Sequence, residues 1–211
     1  MDANKIKIVV CGDSYMCSDK DHVGTHFSEL LNSRYSVINL ARAGVSHVEI
    51  GFQLKQAIEL RPDYVFISNT SSDRIEVPIG DTKNIESLQL DHFRPGPNRY
   101  YLSSNIQSLI NSNAPGYREF RPHMTYEIVD ALKKYLSYIY DDKLMKEINS
   151  WMIGYWLSQL HDAGILHYVF DDTFVVYSRE CFQSPIYHTS YEIQITAAEW
   201  INNHLDSIFK G

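Results

Sequence analysis

The chain has 211 residues, with 19 lysines and arginines against 26 aspartates and glutamates, so its formal net charge is −7. Hydrophobic residues make up 44% and charged residues 21%, which is ordinary globular composition and excludes a disordered, collagen-like or coiled-coil protein. The acidic balance disfavours binding to the phosphate backbone of nucleic acids. The length predicts a single domain, residues 1–211.

The first 70 residues alternate short apolar runs with amphipathic segments. Strands are predicted at 6–11, 36–40 and 64–68, and helices at 23–32 and 48–60. Continuous apolar strands separated by amphipathic helices are typical of a parallel sheet with helices on both faces. The sequence therefore predicts an α/β fold.

The middle of the chain has a different character. Residues 76–123 contain many Gly, Pro, Asn and Ser without clear periodicity, which predicts a long loop. Helices are predicted at 125–140 and 143–163. The apolar residues that mark the second of these helices are Leu144, Ile148, Trp151, Met152, Tyr155, Trp156 and Leu160. We interpret residues 76–162 as an insertion after the third strand.

The C-terminal part returns to the earlier pattern. Strands are predicted at 165–170 and 174–177, the second of them at a sheet edge, and a last helix at 192–209. Gly164 is expected to cap the preceding helix.

Three short segments at strand ends carry candidate chemistry. Ser14 follows the first strand, where open α/β sheets bind ligands; Gly12 permits a tight strand exit, and Asp13 can bond neighbouring backbone N–H groups. Gly44 and Asn69 follow the second and third strands. The Ser14 and Gly44 N–H groups and the Asn69 amide, if they converge on one oxygen, form an oxyanion hole. Each residue is alternatively an ordinary turn residue.

The fourth segment lies before the last helix. His188 is placed to lie over the carboxyl edge of the sheet, near Ser14. A hydroxyl nucleophile needs such a base within about 2.6–3.2 Å. The sequence therefore predicts a serine nucleophile with a histidine base.

Serine, glycine, asparagine and histidine in this order resemble the four blocks of the SGNH hydrolases, the GDSL-type esterases and lipases. The resemblance covers 6–75 and 163–209. It implies a three-layer α/β/α sandwich, the flavodoxin-like SGNH fold, with a parallel sheet of about five strands. It also implies Ser14 as nucleophile, His188 as general base, and an oxyanion hole of Ser14, Gly44 and Asn69. The motifs GDSYM and NLARAGVSH, with 69–76, resemble a divergent subgroup from tailed phages and marine bacteria.

Two blocks depart from the family pattern. The third reads Ile67-Ser68-Asn69-Thr70 in place of Gly-x-Asn-Asp, and Pro185 stands where the family has the aspartate that orients the histidine. Loss of that aspartate can lower the rate of a serine triad by about 10⁴. The groups that remain to orient His188 are a backbone carbonyl near Ser184, or Asp171, Asp172 or Glu192. The alternative is a catalytically weak or inactive protein that binds a glycan or a partner protein.

Further candidates to line the cleft or contact substrate are Asp13, His47, Arg74 and Tyr187. Arg74 either pairs with Asp73 or binds an anionic part of the substrate, since its planar fork suits carboxylate and phosphate. His47 is by default a surface turn residue. His22 and His26 have no third ligand nearby, so we expect a solvated helix start and no metal.

The resemblance implies no cofactor, and a small acyl ester as substrate, including O-acetylated carbohydrate. The Arg- and Tyr-rich stretch 94–121 favours a sugar over a long lipid chain. No nucleic acid or membrane partner is expected, and the sequence leaves the oligomeric state open. Three cysteines outside any disulfide or zinc pattern and the lack of a signal-peptide core predict a cytoplasmic protein; a virion or a phage-infected host is the alternative.

Overall fold

The computed structural model describes residues 5–18, 23–42, 44–81, 93–95, 99–111, 124–170 and 191–210. The strands among them are β1 (Lys7–Cys11), β2 (Ser36–Asn39), β3 (Tyr64–Ser68), β4 (Arg74–Asp81), β5 (Phe93–Pro95), β6 (Arg99–Asn105) and β7 (Leu166–Phe170). The helices are α1 (Phe27–Leu30), α2 (His47–Leu60), α3 (Ile106–Ile110), α4 (Tyr126–Tyr138), α5 (Asp142–Asp162) and α6 (Tyr191–Phe209), and a 3-10 turn (Leu31–Ser33) follows α1.

A parallel sheet forms the centre of the first part of the chain. Its described strands have the order β2-β1-β3-β7, and every neighbouring pair is parallel. This confirms the α/β prediction, with four strands described where about five were expected. The predicted edge strand at 174–177 lies outside the described residues.

Helices cover both faces of this sheet. Ile8, Val10 and Phe66 pack in one cluster with residues of α1 and α6. Side chains alternate along a strand, so Val9 and Ile67, also 0% exposed, point to the opposite face. In the sheet, β2 lies on one side of β1 and β3 lies on the other. The β1–β2 connection, which contains α1, and the β2–β3 connection, which contains α2, therefore cross the sheet in opposite directions. Because such crossovers are right-handed, α1 and α2 lie on opposite faces. The three-layer α/β/α arrangement is confirmed.

The chain divides into two compact units. The first consists of Met1–Arg42, Phe52–Asn69 and Trp156–Gly211, and the second of Ala43–Gly51 and Thr70–Tyr155. The first unit contains the parallel sheet. The prediction that 76–162 is an insertion within a single domain stays a prediction.

The second unit contains an antiparallel sheet of order β4-β6-β5. The prediction of a long loop over 76–123 was therefore wrong for the described residues. Pro78 and Gly80, which suggested a loop, flank a register shift in the β4–β6 ladder, and Pro95 ends the edge strand β5. These are positions where a sheet tolerates such residues. Val77, Leu109, Met124 and Leu132 form the core of this unit.

The helix predicted at 23–32 is much shorter than expected. Val23 is 78% exposed, and α1 begins at Phe27 behind a capping box in which His26 accepts from an N–H of the first turn while Glu29 accepts from the His26 N–H. His26 is only 5% exposed. The expectation of a solvated histidine at a helix start was wrong, because the His26 ring itself caps the helix from inside the core.

Helix α2 begins and ends close to its predicted bounds, but its buried face is rotated. Ile50, Leu54 and Ala57 are fully buried, whereas Val48 and Phe52, which were expected on the apolar face, are 43% and 61% exposed. The polar residue Gln53 is also buried, at 4% exposure.

Helix α5 likewise matches its predicted bounds, and Gly164 caps it with φ +70 and the Ile165 N–H bonded to the Leu160 carbonyl. Its buried face contains Asn149, Ile153 and Leu160. Four of the apolar residues whose spacing marked this helix are exposed: Leu144, Ile148, Trp151 and Tyr155. Apolar periodicity thus located the helix, but it does not say which stripe of a helix packs inward.

The buried His26 makes stability depend on pH. Burial lowers the pKa of His26 to about 4, although the Tyr15 backbone and the Glu29 carboxylate raise it. An unfolded histidine has a pKa near 6.5, so between these values the unfolded chain binds more protons and stability falls as pH falls. We expect His26 to lower the free energy of unfolding by about 2 kcal/mol from pH 7 to pH 5, measured by urea denaturation.

His26→Asn keeps a capping side chain and removes the titration, so its stability should depend less on pH than that of the wild type. The variant keeps a dependence in the same direction, because burial also lowers the pKa of His204, and burial together with the Arg74 charge lowers the pKa of His47 to about 4. An equal pH dependence in the variant and the wild type would contradict the assignment to His26.

Candidate active site

The carboxyl ends of β1 and β3 form the point where the sheet reverses its winding. β1 pairs with β3 so that Cys11 lies level with Ile67, and the chain leaves these two strands toward opposite edges of the sheet. Within this sheet, the strand that follows β1 in the chain is β2, on one side, and the strand that follows β3 is β7, on the other. Open α/β sheets bind ligands in the crevice at such a switch point. Ser14 and Asn69, each just beyond its strand, therefore lie at the same edge of the sheet.

Gly12 makes the close approach of the two strand ends feasible. Its φ is +147°, and a Cβ added to it would lie 2.2 Å from the Ser68 Oγ and 2.9 Å from the Met16 Cγ. The next N–H, that of Asp13, donates to the same Ser68 Oγ at 3.4 Å. Ser68 is thus the partner against which the exit of β1 is packed.

Ser14 occupies the second position of a tight turn. The Met16 N–H donates to the Asp13 carbonyl at 3.1 Å, and the Tyr15 N–H donates to the Asp13 Oδ1, also at 3.1 Å. Asp13 is 2% exposed and therefore holds the turn from inside. Ser14 is partly exposed, and neither its N–H nor its hydroxyl bonds to another described residue. The Ser14 N–H is thus available to a ligand.

Gln53 of α2 bonds to both polar groups of the Gly12 backbone. The Gly12 N–H donates to the Gln53 Oε1 at 2.7 Å, and the Gln53 Nε2 donates to the Gly12 carbonyl at 3.1 Å. The Arg42 N–H donates to the same carbonyl. The sequence analysis missed Gln53; the signal was a polar residue three positions after Ile50 on a helix face that is otherwise apolar.

Asn39, the last residue of β2, holds the other end of the Ser14 turn. Its Nδ2 donates to the Met16 carbonyl at 2.8 Å and to the Ser28 Oγ at 3.0 Å. Ser28 in turn lies 2.7 Å from the His26 Nδ1. Side chains from α1, β2 and α2 thus fix the backbone on both sides of Ser14.

The Asn69 side chain takes no part in the hydrogen bonding of the described residues. It is exposed at the end of β3, and it makes no hydrogen bond with any residue in the described part of the chain. Ile67, where the family pattern has glycine, is fully buried in the sheet. The replacement of glycine by Ile67 therefore affects the packing of the core, and the Asn69 amide stays exposed at the edge of the sheet.

Gly44, His47 and Arg74 belong to the second unit. Gly44 has φ +74°, and the Arg74 guanidinium donates to the Val45 carbonyl at 3.3 Å. Ser46 caps α2 by accepting from the Val48 N–H at 3.0 Å and donates to Glu76. These contacts order the backbone directly after Gly44.

His47 was expected on the surface, and that expectation was wrong. It is 7% exposed because it forms the first turn of α2. Burial and the nearby Arg74 charge lower the pKa of His47 to about 4, so the ring is neutral near pH 7. Burial also raises the pKa of Cys11, which keeps that thiol protonated.

Tyr187 and His188 lie outside the described residues, as do His22, Asp171, Asp172, Ser184 and Pro185. The histidine base and the group that orients it stay predictions. No cluster of three His, Cys, Asp or Glu side chains suited to a metal ion occurs among the described residues. None of the helices described combines the length and apolar character needed to cross a membrane.

Comparison with known proteins shows a likeness at the level of structure. No protein-family model matches the chain, and no curated protein matches it. It is similar to a solved structure assigned to the G-D-S-L family of lipolytic proteins, from Desulfitobacterium hafniense DCB-2. The two share 14% identity with a TM-score of 0.39, over 94% of this chain and 98% of that one. Both values are too low to assign this chain to a family.

Removing Gln53 should loosen the strand exit. Gln53→Leu leaves the buried Gly12 N–H without its acceptor, which should lower the free energy of unfolding by about 1–3 kcal/mol and speed hydrogen exchange of the Gly12 amide. Gln56→Leu, at an exposed position of the same helix, is the matched control. If the Gly12 amide still exchanged slowly in Gln53→Leu, its hydrogen bond to Gln53 would not be what protects it from exchange.

Gly12→Ala should lower the free energy of unfolding more than Gly164→Ala does, although both glycines have a positive φ. Gly164 has φ +70, and a Cβ added there would meet no atom within 4 Å, so Gly164→Ala carries only backbone strain of about 1 kcal/mol. Gly12→Ala adds the overlap with Ser68 and should lower the free energy of unfolding by at least about 2 kcal/mol. Equal losses in thermal denaturation would refute the close packing.

Proposed function

We propose that the protein is a serine ester hydrolase of the SGNH type, with Ser14 as its nucleophile. The observation that carries this proposal is the Ser14 turn: a partly exposed serine with an unused N–H, braced on both sides, at the switch point of a parallel sheet beside Asn69. Preorganised donors of this kind stabilise developing negative charge without having to reorganise.

The proposed reaction proceeds through an acyl-enzyme. The Ser14 Oγ forms a bond to the acyl carbon while its proton passes to His188. The oxyanion is bound by the Ser14 N–H and the Asn69 amide, and by the Gly44 N–H if the sequence-based prediction holds. The alkoxide leaves with the proton from the imidazolium, and water, deprotonated by His188, then releases the acid and regenerates Ser14.

The substrate class we propose is a small acyl ester, including O-acetylated carbohydrate. The Arg- and Tyr-rich sequence over 94–121 supports a sugar. Asp13, His47, Arg74 and Tyr187 were the candidate contacts; Asp13 and His47 are buried supports in the structure, which leaves Arg74 and Tyr187 for substrate. We propose no cofactor, no nucleic acid or membrane partner, and a cytoplasmic or phage-associated location.

Covalent labelling by a fluorophosphonate probe tests the nucleophile. Wild type should be labelled at Ser14, and Ser14→Ala and His188→Ala should abolish labelling because they remove the nucleophile and its base. Ser207→Ala, at an exposed serine of α6, should label normally. Asn69→Ala should retain the labelled site but lose about 10²–10³ in the rate of acetyl-ester hydrolysis.

A folded wild type that resists the probe would overturn the proposal. That result would favour the alternative that follows from the missing aspartate: an SGNH-fold protein that binds a glycan or a partner without catalysis. Labelling that survives Ser14→Ala would place the nucleophile elsewhere.

A further inference from the structure

Helix α5 presents an apolar stripe to solvent. The four residues of this stripe are Leu144, Ile148, Trp151 and Tyr155, exposed by 53%, 40%, 69% and 58%. Their spacing of four, three and four residues keeps them on one side of the helix. Soluble monomers rarely expose contiguous apolar patches above a few hundred Å², so the stripe calls for a partner.

We propose that the α5 stripe is a dimer interface, in which it packs antiparallel against the same stripe of a second copy. The spacing is symmetric about the midpoint between Ile148 and Trp151. Two antiparallel copies related by a two-fold axis therefore set Leu144 level with the partner's Tyr155 and Ile148 level with the partner's Trp151. Each aliphatic side chain meets an aromatic one, which is the self-complementarity that an isologous interface requires.

The apolar area of the stripe is close to what a dimer needs. The exposed fractions of the stripe correspond to roughly 400 Å² per copy. A stable interface buries about 800 Å² per partner, of which just over half is apolar. The stripe therefore supplies most of the apolar area that such an interface needs. The antiparallel arrangement also sets the two helix macrodipoles in opposition, which is favourable.

Other occupants fit the stripe less well. A glycan platform needs polar groups beside its aromatic rings, whereas Leu144 and Ile148 continue the stripe with purely apolar surface. An anionic lipid surface is disfavoured by the net charge of −7. The inference does not depend on ester hydrolysis, because all four residues of the stripe lie outside the candidate active site.

Sedimentation of the full chain over about 1–100 μM tests the dimer. Wild type should approach twice the monomer mass of 24.5 kDa, and Trp151→Glu should weaken the dimer by at least about 30-fold because it puts a charge at the centre of the interface. Tyr155→Lys serves as a second variant. Tyr126→Glu is the matched control, an aromatic residue 80% exposed on α4 and outside the stripe, and it should dimerise as wild type does.

Crosslinking tests the orientation of the two helices. In a chain with Cys17 and Cys181 replaced by serine, Leu144→Cys should crosslink to Tyr155→Cys when the two variants are mixed. Leu144→Cys alone should not crosslink through a short bismaleimide, since the two sites lie about 16 Å apart along antiparallel helices. A wild type that stays monomeric at about 100 μM, a dimer unaffected by both stripe variants, or crosslinking of Leu144→Cys to itself would each overturn the proposal.

Discussion

The close approach of the β1 exit to the end of β3 is the constraint on which the candidate site depends. No side chain fits between Gly12 and the Ser68 hydroxyl, and the peptide groups at this point are buried. Buried N–H and C=O groups must be paired, and Gln53 pairs both of those on Gly12. The positions of β1, β3 and α2 are thereby coupled at the residue from which the Ser14 turn begins.

A serine placed in this way differs from a serine in an ordinary surface turn. Three side chains bond to the backbone on either side of Ser14: the Asp13 carboxylate, the Asn39 amide and the Gln53 amide. Ser14 itself makes no hydrogen bond to another described residue. Rigid support combined with a free donor is what electrostatic preorganisation requires. The backbone around Ser14 is thus well defined, whereas the proposed base, His188, lies outside the described residues.

The proposed chemistry differs from that of a full serine triad, because Pro185 stands where an orienting aspartate would be expected. Serine hydrolases that lose members of the triad keep about 10³–10⁴ of their rate enhancement from the oxyanion hole and substrate binding. In the proposed Ser14–His188 dyad, the braced donors around Ser14 would supply this residual part of the rate enhancement. The second unit contributes a different property, an exposed apolar stripe on α5, which the proposed dimer would cover.

The sequence by itself determined the α/β class, the parallel strands, the bounds of α2, α5 and α6, and the placement of Ser14 and Asn69 at strand ends. These features can be predicted because apolar periodicity and turn residues are local signals, visible within one short segment of the chain. Only the tertiary structure decided which helix stripe is buried, that His26 and His47 are core residues, and that 74–105 contains strands. Burial and strand pairing depend on residues distant in the chain, and the Gln53–Gly12 contact, 41 positions apart, has no local signature beyond one polar residue on an apolar face.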